Sequence, residues 1–264
     1  MTIALPALDM GCDDEGEGQT VLFVHGFPLD RTLWRHQRVA LSTRCRCVVP
    51  DLRGFGESAV RAPFSVDQYA DDLALLMDRL EIDDAIVCGL SMGGYIAMAM
   101  WRRHADRIRG LVLCDTKASA DSEAARVKRE EMIAVATTEG SGAVASRQIG
   151  AVLGASTRAR HPAIEAEVLA MMSRQPVGGV VGALGALRDR PDSRSTLSSI
   201  SVPTLVVVGE EDTVTPVTDA EEMMALLPAV ARPRLERIAN AGHLSCLERP
   251  AAVTHAIAEF VATV

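Results

Sequence analysis

The sequence predicts an α/β fold with a mostly parallel central sheet flanked by helices. Short apolar runs alternate with segments of helical periodicity, which is typical of a parallel sheet covered on both faces. Apolar residues make up 48% of the 264 residues, enough to bury a large core. One apolar run ends in Gly89-Leu90-Ser91-Met92-Gly93, a serine between glycines where a strand gives way to a helix.

The strands and helices can be placed in order along the chain. Apolar runs predict strands at 21–24, 47–50, 85–88, 111–114, 204–209 and 235–238. Helical spacing predicts helices at 69–80, 95–101, 220–227 and 251–261, the first of them preceded by the capping residue Ser65. Local disorder is expected only near residues 11–18.

Strand signals stop in the middle of the chain. Residues 117–197 are rich in Ala, Gly, Met and charged residues and have helical periodicity alone. We therefore expect residues 1–116 and 198–264 to form one core. Residues 117–197 are expected to form a helical lid (cap) inserted over the carboxyl edge of the sheet.

Charge and composition exclude several classes of partner. The net charge is −8, and no basic stripe interleaved with aromatic residues is present, so nucleic-acid binding is not expected. No apolar run is long enough to span a bilayer, and the first residues lack a basic segment before an apolar stretch. These features predict a cytoplasmic protein without membrane contact, and they leave open whether it forms a homo-oligomer.

The six cysteines do not indicate a metal centre. Most fall in predicted strands, where cysteine packs as a small hydrophobe. Cys45 and Cys47 have neither a second cysteine pair nor a nearby histidine to complete a zinc site. We expect both side chains to face the core and the protein to bind no metal.

Ser91 is the candidate nucleophile. A serine on a sharp turn between strand and helix is forced toward strained dihedral angles, and the flanking glycines let the two backbones approach closely. Because a serine hydroxyl is a weak nucleophile at neutral pH, it needs a base within hydrogen-bonding reach and a carboxylate to orient that base.

His243 is the candidate base. It lies in a loop between the last predicted strand and the last helix, and such a loop reaches the sheet edge where Ser91 emerges. His25 precedes Gly26 and is expected to hold that loop in place. The other histidines are expected to be solvated or packed side chains: His36, His104, His161 and His255.

Asp212 is the preferred acid, although the pattern separates it only weakly from its neighbours. Glu210 and Glu211 leave the same strand and suit a solvated turn equally well. Asp115 ends the preceding strand and faces the same edge, so it is a rival. The order serine, acid, histidine given by Asp212 matches one hydrolase architecture.

Two backbone N–H groups are candidates for binding an oxyanion and the substrate carbonyl. Met92 follows the serine at the start of its helix, where the helix dipole favours negative charge. Phe27 follows His25-Gly26 after an early strand, and Pro28 has no N–H to donate.

Four motifs in order resemble the α/β-hydrolase fold of serine hydrolases over nearly the whole chain. They are His25-Gly26-Phe27-Pro28, the segment 51–58 (DLRGFGES), the glycine-flanked Ser91, and the pair formed by 209–212 and Gly242-His243. The resemblance implies Ser91 as nucleophile, His243 as base, Asp212 as orienting acid, and Phe27 and Met92 as oxyanion donors. The segments around Ser91 and His243 are most similar to small carboxylesterases and 3-oxoadipate enol-lactonases.

The expected activity is hydrolysis of a small to medium ester or lactone through an acyl-enzyme, without a cofactor. Related dehalogenases and epoxide hydrolases carry aspartate in place of this serine. The sequence leaves open a 3-oxoadipate enol-lactonase, a carbon–carbon bond hydrolase or a perhydrolase with the same triad. A non-catalytic binding protein on this fold is the alternative of another class.

Specificity is expected to come from the insertion. Met132, Met171 and Met172 suit ordinary core packing better than a substrate pocket, although methionine also fits adaptable apolar sites. Four arginines of the insertion are candidates for a substrate carboxylate, with solvated surface as the simpler role: Arg147, Arg158, Arg160 and Arg174.

Overall fold

The computed structural model describes residues 2–3 and 9–264, with side-chain environments from residue 9 onward. Within these residues, eight strands form one sheet in the order β1-β2-β4-β3-β5-β6-β7-β8. The strands are β1 (Thr2–Ile3), β2 (Met10–Glu15), β3 (Thr20–Val24), β4 (Arg46–Pro50), β5 (Ala85–Leu90), β6 (Ile108–Cys114), β7 (Thr204–Gly209) and β8 (Arg234–Ile238). The pairs β1/β2 and β2/β4 are antiparallel and all others are parallel. The predicted fold class, a mostly parallel sheet flanked by helices, is therefore confirmed.

The core helices alternate with the strands. They are α1 (Arg35–Leu41), α2 (Val66–Arg79), α3 (Met92–His104), α10 (Val217–Leu226), α11 (Ser245–Glu248) and α12 (Pro250–Val261). Ser65 caps α2, since its hydroxyl accepts a 3.0 Å hydrogen bond from the Gln68 N–H.

Two apolar layers cover the faces of the sheet because successive side chains of a strand point to opposite sides. In β3, Val21 and Phe23 pack into the layer formed with α1 and α12, whereas Leu22 and Val24 pack into the layer formed with α2 and α3. All four are fully buried. This is why buried parallel strands appear in the sequence as continuous apolar runs.

Six helices lie between β6 and β7, in the region where strand signals stop. They are α4 (Glu123–Glu139), α5 (Ser141–Val152), α6 (Ala155–Arg160), α7 (Pro162–Ser173), α8 (Val177–Asp189) and α9 (Arg194–Leu197). All of them lie within the predicted insertion, and we keep that name for residues 117–197.

The expectation of disorder near residues 11–18 is wrong. Residues 10–15 form β2, which pairs with β4 in the register Cys12↔Pro50 to Glu15↔Cys47. The acidic side chains of β2 form ion pairs with arginines of other elements: Arg46 binds Asp14, and Arg38 binds Glu15. Local composition does not show these ion pairs, because the arginines lie far from β2 in the sequence.

All six cysteines are buried and none forms a disulfide. Cys45 and Cys47 face the layer that contains α1 and α12, as expected. Within residues 2–3 and 9–264, every helix is too short or too polar to cross a bilayer.

Candidate active site

Ser91 lies on the turn between β5 and α3 with φ 54° and ψ −112°. L residues rarely adopt such angles, and they persist only where the surroundings impose them. The turn requires glycine on both sides: a Cβ on Gly89 would lie 2.2 Å from Gly93 O, and one on Gly93 would lie 2.2 Å from Val24 O. The strand and helix therefore pack backbone against backbone, and Ser91 lies at the surface of the cavity above them.

His243 connects Ser91 to Asp212. Its Nε2 lies 2.9 Å from Ser91 Oγ and its Nδ1 lies 2.8 Å from Asp212 Oδ2. Because a carboxylate only accepts, Nδ1 carries the proton donated to Asp212, and Nε2 is left to accept from the serine hydroxyl. This tautomer is the one that a general base needs.

Asp212 is oriented by the turn that follows β7. Its Oδ1 accepts hydrogen bonds from the N–H groups of Val214 and Thr215, and its Oδ2 accepts from the Thr215 hydroxyl at 2.8 Å. Burial favours the neutral acid, but the charge of His243 and these hydrogen bonds outweigh burial and hold the pKa of Asp212 below its usual value.

The pKa of His243 shifts in the opposite direction. Burial favours the neutral imidazole, whereas the charge of Asp212 and its hydrogen bond stabilise the imidazolium more strongly. The pKa of His243 therefore lies above its usual value of 6.5. The pair thus stabilises a positive charge on the ring at the point where a transferred proton would arrive.

The rival carboxylates have other partners. Asp115 is fully buried, accepts from Gly209 N–H at 2.9 Å, and accepts from the Ser245 hydroxyl at 2.5 Å. Glu211 accepts from the N–H and hydroxyl of Ser156. The geometry therefore places Asp212, and neither Asp115 nor Glu211, against His243.

The loop after β3 lies directly against Ser91. A Cβ on Gly26 would be 3.4 Å from Ser91 Cβ. His25 holds this loop, since its Nδ1 donates to Gly26 O at 2.9 Å and its Nε2 accepts from Leu52 N–H at 3.0 Å. Burial lowers the pKa of His25, which keeps this two-sided, neutral arrangement.

The two expected oxyanion donors belong to a residue that lines the cavity of Ser91 and to the residue that follows Ser91 in the chain. Phe27 lines the same cavity as Ser91, and its N–H follows Gly26 in the loop. Met92 is the first residue of α3, with its side chain buried, so its backbone N–H belongs to the positive end of the helix dipole. The assignment of these two N–H groups as oxyanion donors remains a prediction.

The loop that carries His243 is fixed by Glu248, a residue that the sequence did not single out. Its buried side chain accepts from the N–H groups of Gly242 and Leu244, which flank the histidine, at 2.9 and 3.2 Å. Its other oxygen accepts from Gly154 N–H of the insertion at 2.9 Å. One carboxylate thus joins the histidine loop to the insertion.

A cavity of about 430 Å³ opens above Ser91 and His243, between the core and the insertion. Its size lies within the range usual for small-molecule sites. The walls are mainly apolar, with a group of charged side chains on the insertion side. The lining residues outside the triad include Phe27, Tyr95, Lys117, Asp121, Lys128, Arg129, Met132, Gln148, Val152, Leu187 and Val214.

The cations that line this cavity are other residues than the four arginines named as candidates for a substrate carboxylate, for which solvated surface was the simpler role. Arg147 pairs with Glu139 and Arg174 with Asp30. None of the four candidate arginines lines the cavity, which instead contains Lys117, Lys128 and Arg129. Of the three methionines, Met132 lines the cavity, and Met171 and Met172 lie in the core.

A strained serine above a mostly parallel sheet, with a histidine and an aspartate in hydrogen-bonded sequence, defines the α/β class of hydrolases. The family described as "alpha/beta hydrolase fold" matches residues 19–250. The chain therefore belongs to the α/β-hydrolase fold family, and its general activity is that of a hydrolase.

Three relatives show how far this similarity extends. A thermophilic esterase from Thermogutta terrifontis, solved with malate bound, is 39% identical, covers 99% of this chain and 97% of its own, and has a TM-score of 0.94. An enol-lactonase from Burkholderia xenovorans is 29% identical, with 98% and 99% covered and a TM-score of 0.90. 3-Oxoadipate enol-lactonase 1 of Acinetobacter baylyi is 28% identical, with 92% and 89% covered.

Proposed function

We propose that this hydrolase cleaves a small to medium carboxylic ester or lactone through an acyl-enzyme formed on Ser91. The observation that carries the proposal is the continuous hydrogen-bonded series from Ser91 Oγ through His243 to Asp212 Oδ2, with distances of 2.9 and 2.8 Å. The similarity of this chain to an esterase and to enol-lactonases supports the same substrate class.

In the first step, Ser91 Oγ attacks the carbonyl carbon while His243 Nε2 takes the hydroxyl proton. Asp212 stabilises the imidazolium that results, which agrees with the raised pKa of His243. The carbon–oxygen bond to the alcohol then breaks, and His243 returns the proton to the leaving oxygen. For a lactone, the released alcohol stays attached to the acyl group.

In the second step, water attacks the ester carbonyl of the acyl-enzyme. His243 takes a proton from this water and gives it back to Ser91 Oγ as the carboxylic acid leaves. Each proton transfer uses a group of this chain, so the proposed reaction calls for no metal or organic cofactor.

The negative charge that forms on the carbonyl oxygen is assigned to the N–H groups of Phe27 and Met92. Donors of this type contribute about 3 kcal/mol each in other hydrolases. The insertion acts in this proposal as the lid: it supplies one wall of the cavity and so selects the substrate.

The proposal is tested with p-nitrophenyl esters from acetyl to dodecanoyl and with an enol-lactone acid. Ser91→Ala is the blank, and mass spectrometry of a fluorophosphonate adduct reports whether Ser91 is the modified residue. Turnover that disappears in Ser91→Ala, with a single adduct on Ser91, supports the proposal. Turnover that survives Ser91→Ala overturns it, as does an unmodified serine with no turnover of any ester or lactone.

A further inference from the structure

The two lysines of this chain lie in one place. Of the 27 lysine and arginine residues only Lys117 and Lys128 are lysine, and both line the cavity that contains Ser91 and His243. Lys117 is half-buried in the segment that follows β6, and Lys128 is exposed on α4 at the cavity wall. Lys117 is the first residue of the insertion, and Lys128 lies on the first helix of the insertion.

Neither lysine is neutralised by a close ion pair. Among residues 9–264, no carboxylate oxygen lies within 4 Å of either ammonium group, although most arginines have such a partner. Asp219 on α10 interacts electrostatically with Lys117, but at more than 4 Å. A lysine ammonium is a compact charge with three donors, and here those donors are available to a ligand.

Among residues 9–264, Asp121 is the only carboxylate that lines the cavity, and it is already paired. Asp121 binds Arg129 at 3.0 Å and Arg190 at 2.6 Å, and the side chains of Asp121 and Arg190 are each only 2% exposed. The Arg190 guanidinium also lies 4.2 Å above the ring of Tyr95, another wall residue. Two arginines on one aspartate leave this cluster with a surplus positive charge.

The charge of the cavity is therefore opposite to that of the protein. The whole chain carries −8, while this wall combines two lysines with the surplus charge of the Asp121 cluster. A cleft lined by one sign of charge with low-dielectric walls concentrates ligands of the other sign. The apolar part of the same cavity, with Met132, Leu187 and Val152, suits a short hydrocarbon chain between two polar ends.

Resting on the proposed ester or lactone chemistry, we propose that the substrate carries a carboxylate remote from the scissile bond, and that Lys117 and Lys128 bind it. Monoesters of dicarboxylic acids and carboxylate-bearing lactones belong to this class. The anionic group forms charge-assisted hydrogen bonds with the ammonium groups while the ester carbonyl lies at Ser91.

The experiment compares kcat/KM for anionic and neutral esters of matched length. The acyl-side pair is monomethyl adipate and methyl hexanoate, and the alcohol-side pair is 4-acetoxybutanoate and butyl acetate. We expect at least one pair to show a preference for the anion of about tenfold or more, and that pair identifies the side of the ester that faces the lysines. The preference should shrink as the ionic strength rises.

Three lysine variants and one control variant locate the cause of the preference. Lys117→Met and Lys128→Met should each lower the ratio of kcat/KM for the anionic ester to kcat/KM for the neutral ester, by about tenfold or until no preference is left. Lys117→Arg should keep most of the preference. Arg147→Met removes the same charge from an exposed position of the insertion outside the cavity, so its ratio should equal that of the wild type. Circular dichroism melting checks that each variant is folded.

Two results would overturn the inference while the ester chemistry stands. One is Ser91-dependent turnover in which neither pair favours the anion. The other is an anion preference that falls equally in Lys117→Met, Lys128→Met and Arg147→Met, since that pattern reflects net charge rather than a site. Loss of the proposed function itself would appear differently, as turnover of every ester that survives Ser91→Ala.

Discussion

Asp115 Oδ2 accepts a 2.5 Å hydrogen bond from the hydroxyl of Ser245, which lies two residues beyond His243. The other oxygen of Asp115 accepts from Gly209 N–H at the end of β7. Asp115 therefore holds together the ends of two strands and the histidine loop, while Asp212 holds the imidazole itself. The two neighbouring aspartates of this edge have separate tasks.

This division predicts unequal effects of two isosteric substitutions. Asp212→Asn keeps the size of the side chain but removes the charge that stabilises the imidazolium, so we expect kcat to fall roughly 10⁴-fold. Asp115→Asn should lower kcat less than about tenfold. The measurement is kcat for p-nitrophenyl acetate in both variants, with melting curves to show that they are folded. Losses of equal size would contradict the assignment of Asp212.

We expect kcat/KM to fall as the pH is lowered, with the midpoint of this decrease above pH 6.5. His243 acts as a base only when neutral, and its pKa is raised because Asp212 stabilises the charged ring more than burial disfavours it. Activity should therefore increase as the pH rises through the pKa of His243. NMR titration of labelled histidine in Ser91→Ala provides an independent value, and Asp212→Asn should lower it. A midpoint of this decrease below pH 6 would contradict this account.

Asp115 makes the stability depend on pH in a direction unusual for a carboxylate. Burial, and after it the charge of Asp212, raises the pKa of Asp115 to about 8 from a usual value of 3.8. Between these values the folded protein holds a proton that the unfolded chain has released. The contribution of Asp115 to stability is thus fully present below about pH 4 and is lost as the pH rises to about 8.

Asp115→Asn should remove this contribution. Urea unfolding of the wild type and the variant at pH 5, 6.5 and 8 measures it. We expect the free energy of unfolding of the variant minus that of the wild type to become more positive as the pH rises, because only the wild type loses stability over this range. A difference that stays constant over these three pH values would show that Asp115 does not take up a proton on folding.

Much of the fold could be predicted from the sequence because buried parallel strands and amphipathic helices leave strong local patterns. The fold class is confirmed, and the structure brings Ser91, His243 and Asp212 together in the expected order. The choice between Asp212 and Asp115 could not be made locally. Both residues follow strands that end at one edge, and the turn at Val214 and Thr215 decides which one faces His243.

Features that depend on distant contacts were missed. The acidic strand β2 is held by Arg38 and Arg46 from other elements, so its composition alone suggested disorder. Four arginines of the insertion were the candidates for binding a substrate carboxylate. Most of them have polar partners in the structure, and no sequence motif predicts those contacts. A count of residue types would have drawn attention to Lys117 and Lys128, since they are the only lysines.

The close packing behind Ser91 predicts a large penalty for one added methyl group. A Cβ on Gly93 would lie 2.2 Å from Val24 O, a backbone atom that cannot turn aside. Gly93→Ala should destabilise the protein by about 3 kcal/mol or more, or prevent its expression. Gly185→Ala on α8 is the matched control: apart from the backbone of its own helix, no heavy atom would lie within 4 Å of a Cβ added there.

The control should raise stability by about 0.5–1 kcal/mol, because alanine loses less backbone entropy than glycine in a helix. Chemical denaturation of both variants gives the two values. Equal stability of Gly93→Ala and the wild type would mean that β3 and α3 are packed less closely than the structure shows.

Glu248 predicts a positioning effect on catalysis from a residue outside the triad. A glutamine at this position has only one acceptor oxygen, and its NH₂ group can only donate. Either the two N–H groups that flank His243 or the N–H of Gly154 would therefore lose their acceptor and face the NH₂ group instead. We expect Glu248→Gln to destabilise the protein by about 1–3 kcal/mol and to lower kcat for a neutral ester about tenfold with little change in KM.

The matched control is Glu211→Gln, because Glu211 also joins the core to the insertion, through Ser156, and has no contact with the N–H groups beside His243. Its kcat should stay within about twofold of the wild type. If both substitutions lowered kcat equally, the effect would come from the attachment of the insertion. A loss confined to Glu248→Gln assigns it to the position of His243, because only that carboxylate holds both flanking amides.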